Sequence, residues 1–210
     1  MKITSTNIGQ PTTFTWNGAE EQTGIFKYPV EEPLQLTRTD VKKDTIIDRV
    51  HHGGDNKACY LFSADYYPYW KEQYPTLAWD WGMFGENLTV TDLDEAKIRV
   101  GDVYRIGEAL VQVSQPREPC YKLGVRFNDQ HILKSFIQHA HPGTYVRVLE
   151  EGAVKKGDAV VLVQRSENTF TIKNFFELLY AKQKRSEMIQ LALDNPAVPE
   201  YKKERFKKFL

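Results

Sequence analysis

The chain has 210 residues, 41% hydrophobic and 12% aromatic, which suits one moderate domain, or one plus a small appendage, and is too apolar for a disordered chain. Lysine plus arginine equals aspartate plus glutamate, at 28 each, so the charge balance provides no basic footprint for nucleic acid and no polybasic signal for a membrane surface. Apolar runs such as Ala159–Val163 are far shorter than the roughly 20 residues of a membrane span, and Met1–Asn7 lacks the apolar core of a signal peptide.

Short apolar or β-branched runs bounded by Gly, Pro, Asn and Asp predict strands at Lys2–Ile8, Thr12–Trp16 and Gly24–Tyr28. A helix is expected from Ser63, as its N-cap, to Tyr74, with Pro68 standing against its middle. Strands follow at Asn87–Val90, Val103–Ile106 and Ala109–Ser114, then a helix over Asp129–His139, where Ile132, Leu133, Phe136 and Ile137 share a face. Two more strands are expected at Tyr145–Leu149 and Ala159–Val163. Gly101-Asp102 and Gly157-Asp158 punctuate two of these runs. The glycine permits a positive φ and the aspartate can accept from nearby amides, so both pairs predict turns into strands. The pattern over residues 1–165 is mainly β (α+β), a barrel or a folded sheet.

Beyond residue 165 the character changes. Ile172, Phe175, Phe176 and Leu179 form an apolar stripe, a second helical stretch covers Ser186–Leu193, and a basic third one covers Pro199–Phe209 after the break at Asp194-Asn195-Pro196. Three short helices cannot build much of a core alone. Residues 166–210 are therefore read as a three-helix appendage docked on the β domain or on a partner.

Only two cysteines are present, Cys59 and Cys120, too few for a disulfide framework or for the four thiolates of an iron–sulfur cluster. A reduced, cytoplasmic setting follows. Cys120 lies in Gln115-Pro116-Arg117-Glu118-Pro119-Cys120-Tyr121-Lys122-Leu123, where a strand runs into a proline-stiffened loop. A thiol beside Arg117 and Lys122 should favour thiolate, the form that attacks electrophiles or ligates a soft metal. The bland reading is a small buried hydrophobe among surface charges.

A second segment, His51-His52-Gly53-Gly54-Asp55-Asn56-Lys57, combines a glycine turn that exposes backbone amides with a point charge for a phosphate. Adjacent histidines on a strand point to opposite faces, so His51 and His52 do not make a zinc site. A third, Gly82-Met83-Phe84-Gly85-Glu86-Asn87-Leu88-Thr89, reads as a shaped loop before a strand, with Asn87 and Thr89 able to hydrogen-bond a heterocycle edge. Alone, the glycine segment reads better as a tight hairpin, and the third segment is a weak signal beside its reading as a β-bulge or turn filled by apolar side chains. The aromatic residues Tyr66, Tyr67, Tyr69, Trp70, Trp79 and Trp81 are expected to pack. His131, His139 and His141, and the basic face of Lys202, Lys203, Arg205, Lys207 and Lys208, are expected to be solvated. Dinucleotide, phosphate-loop and serine-hydrolase signatures are absent.

Together, His52-Gly53-Gly54-Asp55-Asn56-Lys57-Ala58, Phe84-Gly85-Glu86-Asn87-Leu88-Thr89, Gly101-Asp102 and the Gln115–Leu123 run, in this order, resemble the MOSC family, named for the C-terminal domain of molybdenum cofactor sulfurase. The best match is its YiiM-like branch, whose small C-terminal helical domain corresponds to residues 166–210. One departure is Thr144, which stands where the family pattern leads one to expect an aromatic residue.

The resemblance implies a β-barrel-like domain holding a molybdenum cofactor (molybdopterin), with Cys120 as catalytic residue and metal ligand, and pyridoxal phosphate is not expected. Lys57, Arg117 and Lys122 are candidates to neutralise cofactor phosphate, and Gly53, Gly54, Asn87 and Thr89 to contact the pterin; His52 and Asp55 are also cofactor-binding candidates, and the proton donor is left open among His52, Asp55 and Glu86. The implied activity is reduction of N-hydroxylated compounds such as N-hydroxylated purines. With no redox motif of its own, the chain is expected to draw electrons from an external flavin or iron–sulfur donor. The alternatives are a cofactor carrier or sulfur-transfer protein using Cys120, or an interaction module; the oligomeric state is left open.

Overall fold

The computed structural model describes residues 1–49 and 53–210. Its centre is an eight-stranded sheet built from β1 (Lys2–Gly9), β4 (Lys27–Pro29), β6 (Cys59–Ser63), β7 (Leu88–Thr91), β8 (Val103–Ile106), β9 (Ala109–Pro116), β10 (Thr144–Glu150) and β12 (Val160–Gln164). The order is β12-β8-β9-β10-β6-β7-β1-β4, antiparallel throughout except for the parallel pair β6–β7. Two small ladders lie beside it. One is the hairpin β2 (Thr12–Trp16) with β3 (Ala19–Thr23), and the other pairs β5 (Leu34–Leu36) with β11 (Gly152–Val154).

The expected barrel does not close. End strands β12 and β4 do not pair, and the sheet margins meet only at an isolated bridge between Lys2 and Ala159, where the Ile3 amide donates to the Asp158 carbonyl at 2.9 Å. The reason lies in β1, whose later residues Asn7–Gly9 are taken by β4, leaving no continuous edge for a closing ladder. The fold is thus mixed α+β, mostly sheet, with a split margin.

Both glycine–aspartate turns form as the sequence implies. Gly101 and Gly157 adopt φ of 97° and 92°. The Asp102 carboxylate accepts from the Arg99 and Ser166 amides, and Asp158 from the Lys155 amide.

The parallel β6–β7 pair needs a crossover, and a 3-10 turn (Ala64–Tyr66) leading into α1 (Tyr67–Gln73) supplies it. Ser63 caps that turn by accepting from the Asp65 amide, and Pro68 falls in the first turn of α1, where its missing N–H is tolerated. Between β9 and β10 the chain forms α2 (Tyr121–Phe127) and α3 (Ile132–His139). These helices and α1 close an aromatic cluster over one region of the sheet, with Phe62 stacked on Phe84 at 4.2 Å and Trp70, Phe127 and Phe136 buried around them.

The remaining helices are α4 (Ile172–Tyr180), α5 (Ser186–Leu193) and α6 (Glu200–Lys207). Phe170, Ile172, Phe175, Leu178, Ile189 and Phe206 are buried in the same cluster as Ile3, Val90, Val111 and Val148 of the sheet. Among the described residues no helix is long and apolar enough to cross a membrane.

Candidate functional site

Cys120 sits where β9 has ended and α2 begins. It is the N-cap of α2 in extended backbone (φ −123°, ψ 168°), and its carbonyl accepts from the Leu123 amide at 2.9 Å. Its side chain is half-buried, whereas Cys59 is fully buried in β6, where desolvation pushes its thiol far up and keeps it protonated. Cys120 is the one accessible thiol.

It opens onto a cleft beside the start of α2. Lys57, Asn87, Arg117 and Lys122 line this cleft with Cys120, as do Tyr60, Tyr145 and the segment Asp44–Asp48. The sequence assigns no role to Asp44–Asp48, an irregular stretch without a motif.

Arg117 carries the strongest chemical signal. Its residue is 5% exposed and its guanidinium lies over the rings of Tyr60 and Phe136, at 5.6 and 5.4 Å. Its Nη1 is buried without a hydrogen-bond partner among the described residues. A buried cationic donor left unsatisfied is costly, and an anion in the adjoining cleft is the natural acceptor.

Lys27, which the sequence reading missed, also lines the cleft, but its charge is neutralised by an ion pair with buried Asp44. Asp44 also accepts from Gly9 N at 2.8 Å and from Asn87 Nδ2 at 2.9 Å, so the Asn87 amide is held as part of the wall. Burial, reinforced by the Lys202 ammonium, lowers the Lys57 pKa below the ordinary lysine value. Lys122 leans toward the β2–β3 hairpin, its Nζ 3.4 Å from the Gln22 carbonyl oxygen.

A second cleft also reaches Cys120. Gly53, Gly54 and Asp55 line it, together with Tyr201 and Lys202 of α6, while Asp48, Lys57, Cys120 and Tyr145 belong to both clefts. Asn56 brings the glycine loop here. Its carbonyl accepts from Ser114 Oγ at 2.6 Å, and its side chain accepts from Arg147 of β10. The three sequence segments therefore converge, although nothing local in any of them requires it.

Two expectations need correction. Thr89 does not line either cleft. It is fully buried in β7, its hydroxyl donating to Glu86 Oε1 at 2.8 Å and accepting from Asn7 Nδ2 at 3.0 Å. Glu86 itself is fully buried and also accepts from the Gly82 and Phe84 amides and Tyr67, knotting the loop into shape; burial raises its pKa. Nor is the basic face of α6 simply solvated. Lys202 is 5% exposed and pairs with Glu118, which Arg205 also engages at 2.9 Å. His52 lies outside the described residues. The departure at Thr144 does not strip the cleft of an aromatic ring. Thr144 is buried, its hydroxyl donating to the Gln115 carbonyl at 3.2 Å, and the next residue, Tyr145, supplies the ring.

Among the described residues no three His, Cys, Asp or Glu side chains gather as a metal site. A metal at Cys120 would then have a single protein thiolate, its other ligands coming from an organic cofactor. A pterin-held metal with an anionic tail fits that donor set, with Cys120 for the metal and Arg117, Lys57 and Lys122 for the anion.

A mostly-sheet α+β scaffold thus presents one accessible thiol at two clefts, one of them lined by several cations. The MOSC domain model matches residues 48–161. An uncharacterized protein, YflK, from Bacillus subtilis is 37% identical over 94% of this chain and 89% of its own length. Protein YiiM from Escherichia coli is 35% identical over 67% of this chain and 64% of its own. A protein named Reductase from Gibberella moniliformis is 32% identical over 79% of this chain, but that match is only 30% of the longer protein. The crystal structure of YiiM from Geobacillus stearothermophilus superposes with a TM-score of 0.83 at 32% identity, covering 100% of this chain and 98% of that one. The chain belongs to the MOSC domain family, in its YiiM-like branch. Its function is accordingly associated with the molybdenum cofactor.

Proposed function

We propose that this protein binds a molybdenum cofactor through the Cys120 thiolate and reduces N-hydroxylated compounds with electrons from an external flavin or iron–sulfur reductase. The observation that carries the reading is the pairing, in one cleft, of the accessible Cys120 with Arg117, whose buried Nη1 has no acceptor among the described residues. The net reaction converts an N-hydroxyl group to N–H plus water, consuming two electrons and two protons. When bound, the cofactor supplies the two-electron chemistry that removes oxygen from nitrogen.

The chain's own residues do the rest. Cys120 anchors the metal, held by the α2 N-cap backbone and by the rigid end of β9. Arg117 fixes an anionic group against the rings of Tyr60 and Phe136, and Lys57 and Lys122 add charge near it. Asn87 keeps the wall closed through its bond to Asp44. Of the acids near the motifs, Asp55 lines the second cleft, whereas Glu86 is buried with its oxygens occupied by the loop. A reducing cytoplasm would keep Cys120 available.

Metal analysis tests the reading. Expressed with molybdate in a host that makes the cofactor, the wild-type protein should carry near-stoichiometric molybdenum, and Cys120→Ala should lose it. Loaded wild type should reduce an N-hydroxylated purine only when an electron carrier is added. Turnover without any carrier or reductant would refute the need for an external donor. Loaded protein that turns over no N-hydroxylated compound would instead make this chain a cofactor carrier or sulfur-transfer protein.

A further inference from the structure

We infer that the second cleft is the substrate site, and that Tyr201 of the C-terminal helix α6 selects planar aromatic N-hydroxylated substrates by stacking. The inference rests on the proposed reductase reading for the chemistry but on separate residues for the binding. Cys120 lines both clefts, so a group anchored on its thiolate from the cation-lined side is adjacent to whatever occupies the other. The cation-lined cleft is suited to the cofactor's anion, which leaves the second for substrate.

The lining of that cleft is mixed. It includes the rings of Tyr145 and Tyr201, Pro116 and Pro119, and the bare backbone of Gly53-Gly54. Gly54 has a positive φ of 88°, and a Cβ added there would meet nothing within 4 Å, so open space lies beside the loop. Accessible rings beside bare backbone favour a flat ligand that can stack over a branched one.

Tyr201 is built as a platform. The residue is 50% exposed, yet its hydroxyl donates to Oε1 of buried Gln115 at 2.7 Å. Its neighbour Lys202 is tied to Glu118, two residues before Cys120. An exposed ring anchored at its polar end has little freedom to lose when a base stacks on it. Lys57 Nζ lies 5.9 Å from the centroids of both the Tyr145 and the Tyr201 rings, so one cation links the two rings of the cleft.

The test is isothermal titration calorimetry with N-hydroxyadenine and, as an aliphatic N-hydroxylated control, acetohydroxamic acid, run on wild type, Tyr201→Ala and Tyr201→Phe. Each protein is loaded with cofactor, and the melting temperature is checked to confirm folding. Tyr201→Ala should weaken N-hydroxyadenine binding by about tenfold, the scale of one base-on-ring stack. Tyr201→Phe keeps the ring but not its anchor and should stay within about threefold of wild type. Acetohydroxamic acid should not distinguish the three proteins. An N-hydroxyadenine affinity unchanged in Tyr201→Ala, equal weakening of both ligands, or no binding to wild type overturns the assignment. If the calorimetric pattern holds while the loaded enzyme reduces neither compound, the reductase reading falls and the binding site stands. If both are reduced with a KM ratio indifferent to Tyr201→Ala, the reverse is true.

Discussion

His139, at the end of α3, shows how burial sets the behaviour of a single side chain. Its ring stacks on Tyr69 at 4.3 Å, and its Nδ1 is buried without a partner among the described residues. Desolvation, with a smaller contribution from nearby His141, lowers its pKa to about 4. His141 differs, since its Nδ1 lies 3.1 Å from the buried Glu95 carboxylate. In the unfolded chain His139 should titrate near the ordinary value of roughly 6.5, so between these values the unfolded state binds more protons. Stability from this residue is therefore fully present above about pH 6.5 and is lost as pH falls toward about 4. Melting temperatures taken across that interval should decline more steeply for wild type than for His139→Phe; coincident slopes would disprove the assignment. The solvated position expected from sequence fails because Tyr66, Tyr69 and Trp70, on the crossover, pack around His139.

Helix α6 illustrates what an element does beyond its own residues. Its sequence is strongly polar, and it holds its place through Phe206 in the core, through Tyr201 on Gln115 at the end of β9, and through Lys202 and Arg205 on Glu118 of the loop before Cys120. Burial alone would raise the Glu118 carboxyl, but Lys202 and Arg205 outweigh it and hold its pKa below the ordinary range. The clamp is thus charged at neutral pH, and its contribution is lost only as pH falls below the usual glutamate value and through the lower folded one. The Lys202 side chain is 6% exposed and that of Glu118 31%, placing the pair between surface bridges worth 0–1 kcal/mol and buried ones whose breakage costs 3–5. Lys202→Met should accordingly destabilise by about 2 kcal/mol, lowering the melting temperature by roughly 4–8 °C. An unchanged melting temperature would show that the clamp contributes nothing.

At the scale of the whole molecule, the question is whether tail and sheet unfold together. Phe206 is fully buried against Phe175, in a cluster that includes strand residues from Ile3 to Val148. All four tryptophans, Trp16, Trp70, Trp79 and Trp81, lie in the first 81 residues, far along the chain from α6. Phe206→Ala should destabilise by about 3–5 kcal/mol. If tail and sheet form one cooperative unit, tryptophan fluorescence should report that shift as fully as helical circular dichroism does. A dichroism transition that moves while fluorescence stays fixed would make residues 166–210 an independently unfolding domain.

What the sequence determined by itself is whatever depends on neighbours along the chain. Alternation gave β2 its observed bounds, turn chemistry produced the two glycine–aspartate corners, and the last two helical stretches are helices α5 and α6. The motif order identified the family and singled out Cys120. Strand β6 escaped because all five of its residues are buried, which removes the alternation that marks a half-buried strand. Polar β3 escaped because Ala-Glu-Glu-Gln-Thr has low strand propensity and pairs only as the return arm of a hairpin. Tertiary structure decided what depends on residues far apart in the chain. It turned Thr89 inward onto Glu86, buried Lys202 against Glu118, and brought the glycine loop to Cys120 through Asn56 and Arg147. Burial and pairing are properties of a neighbourhood in space, and a linear pattern carries them only where that neighbourhood is local.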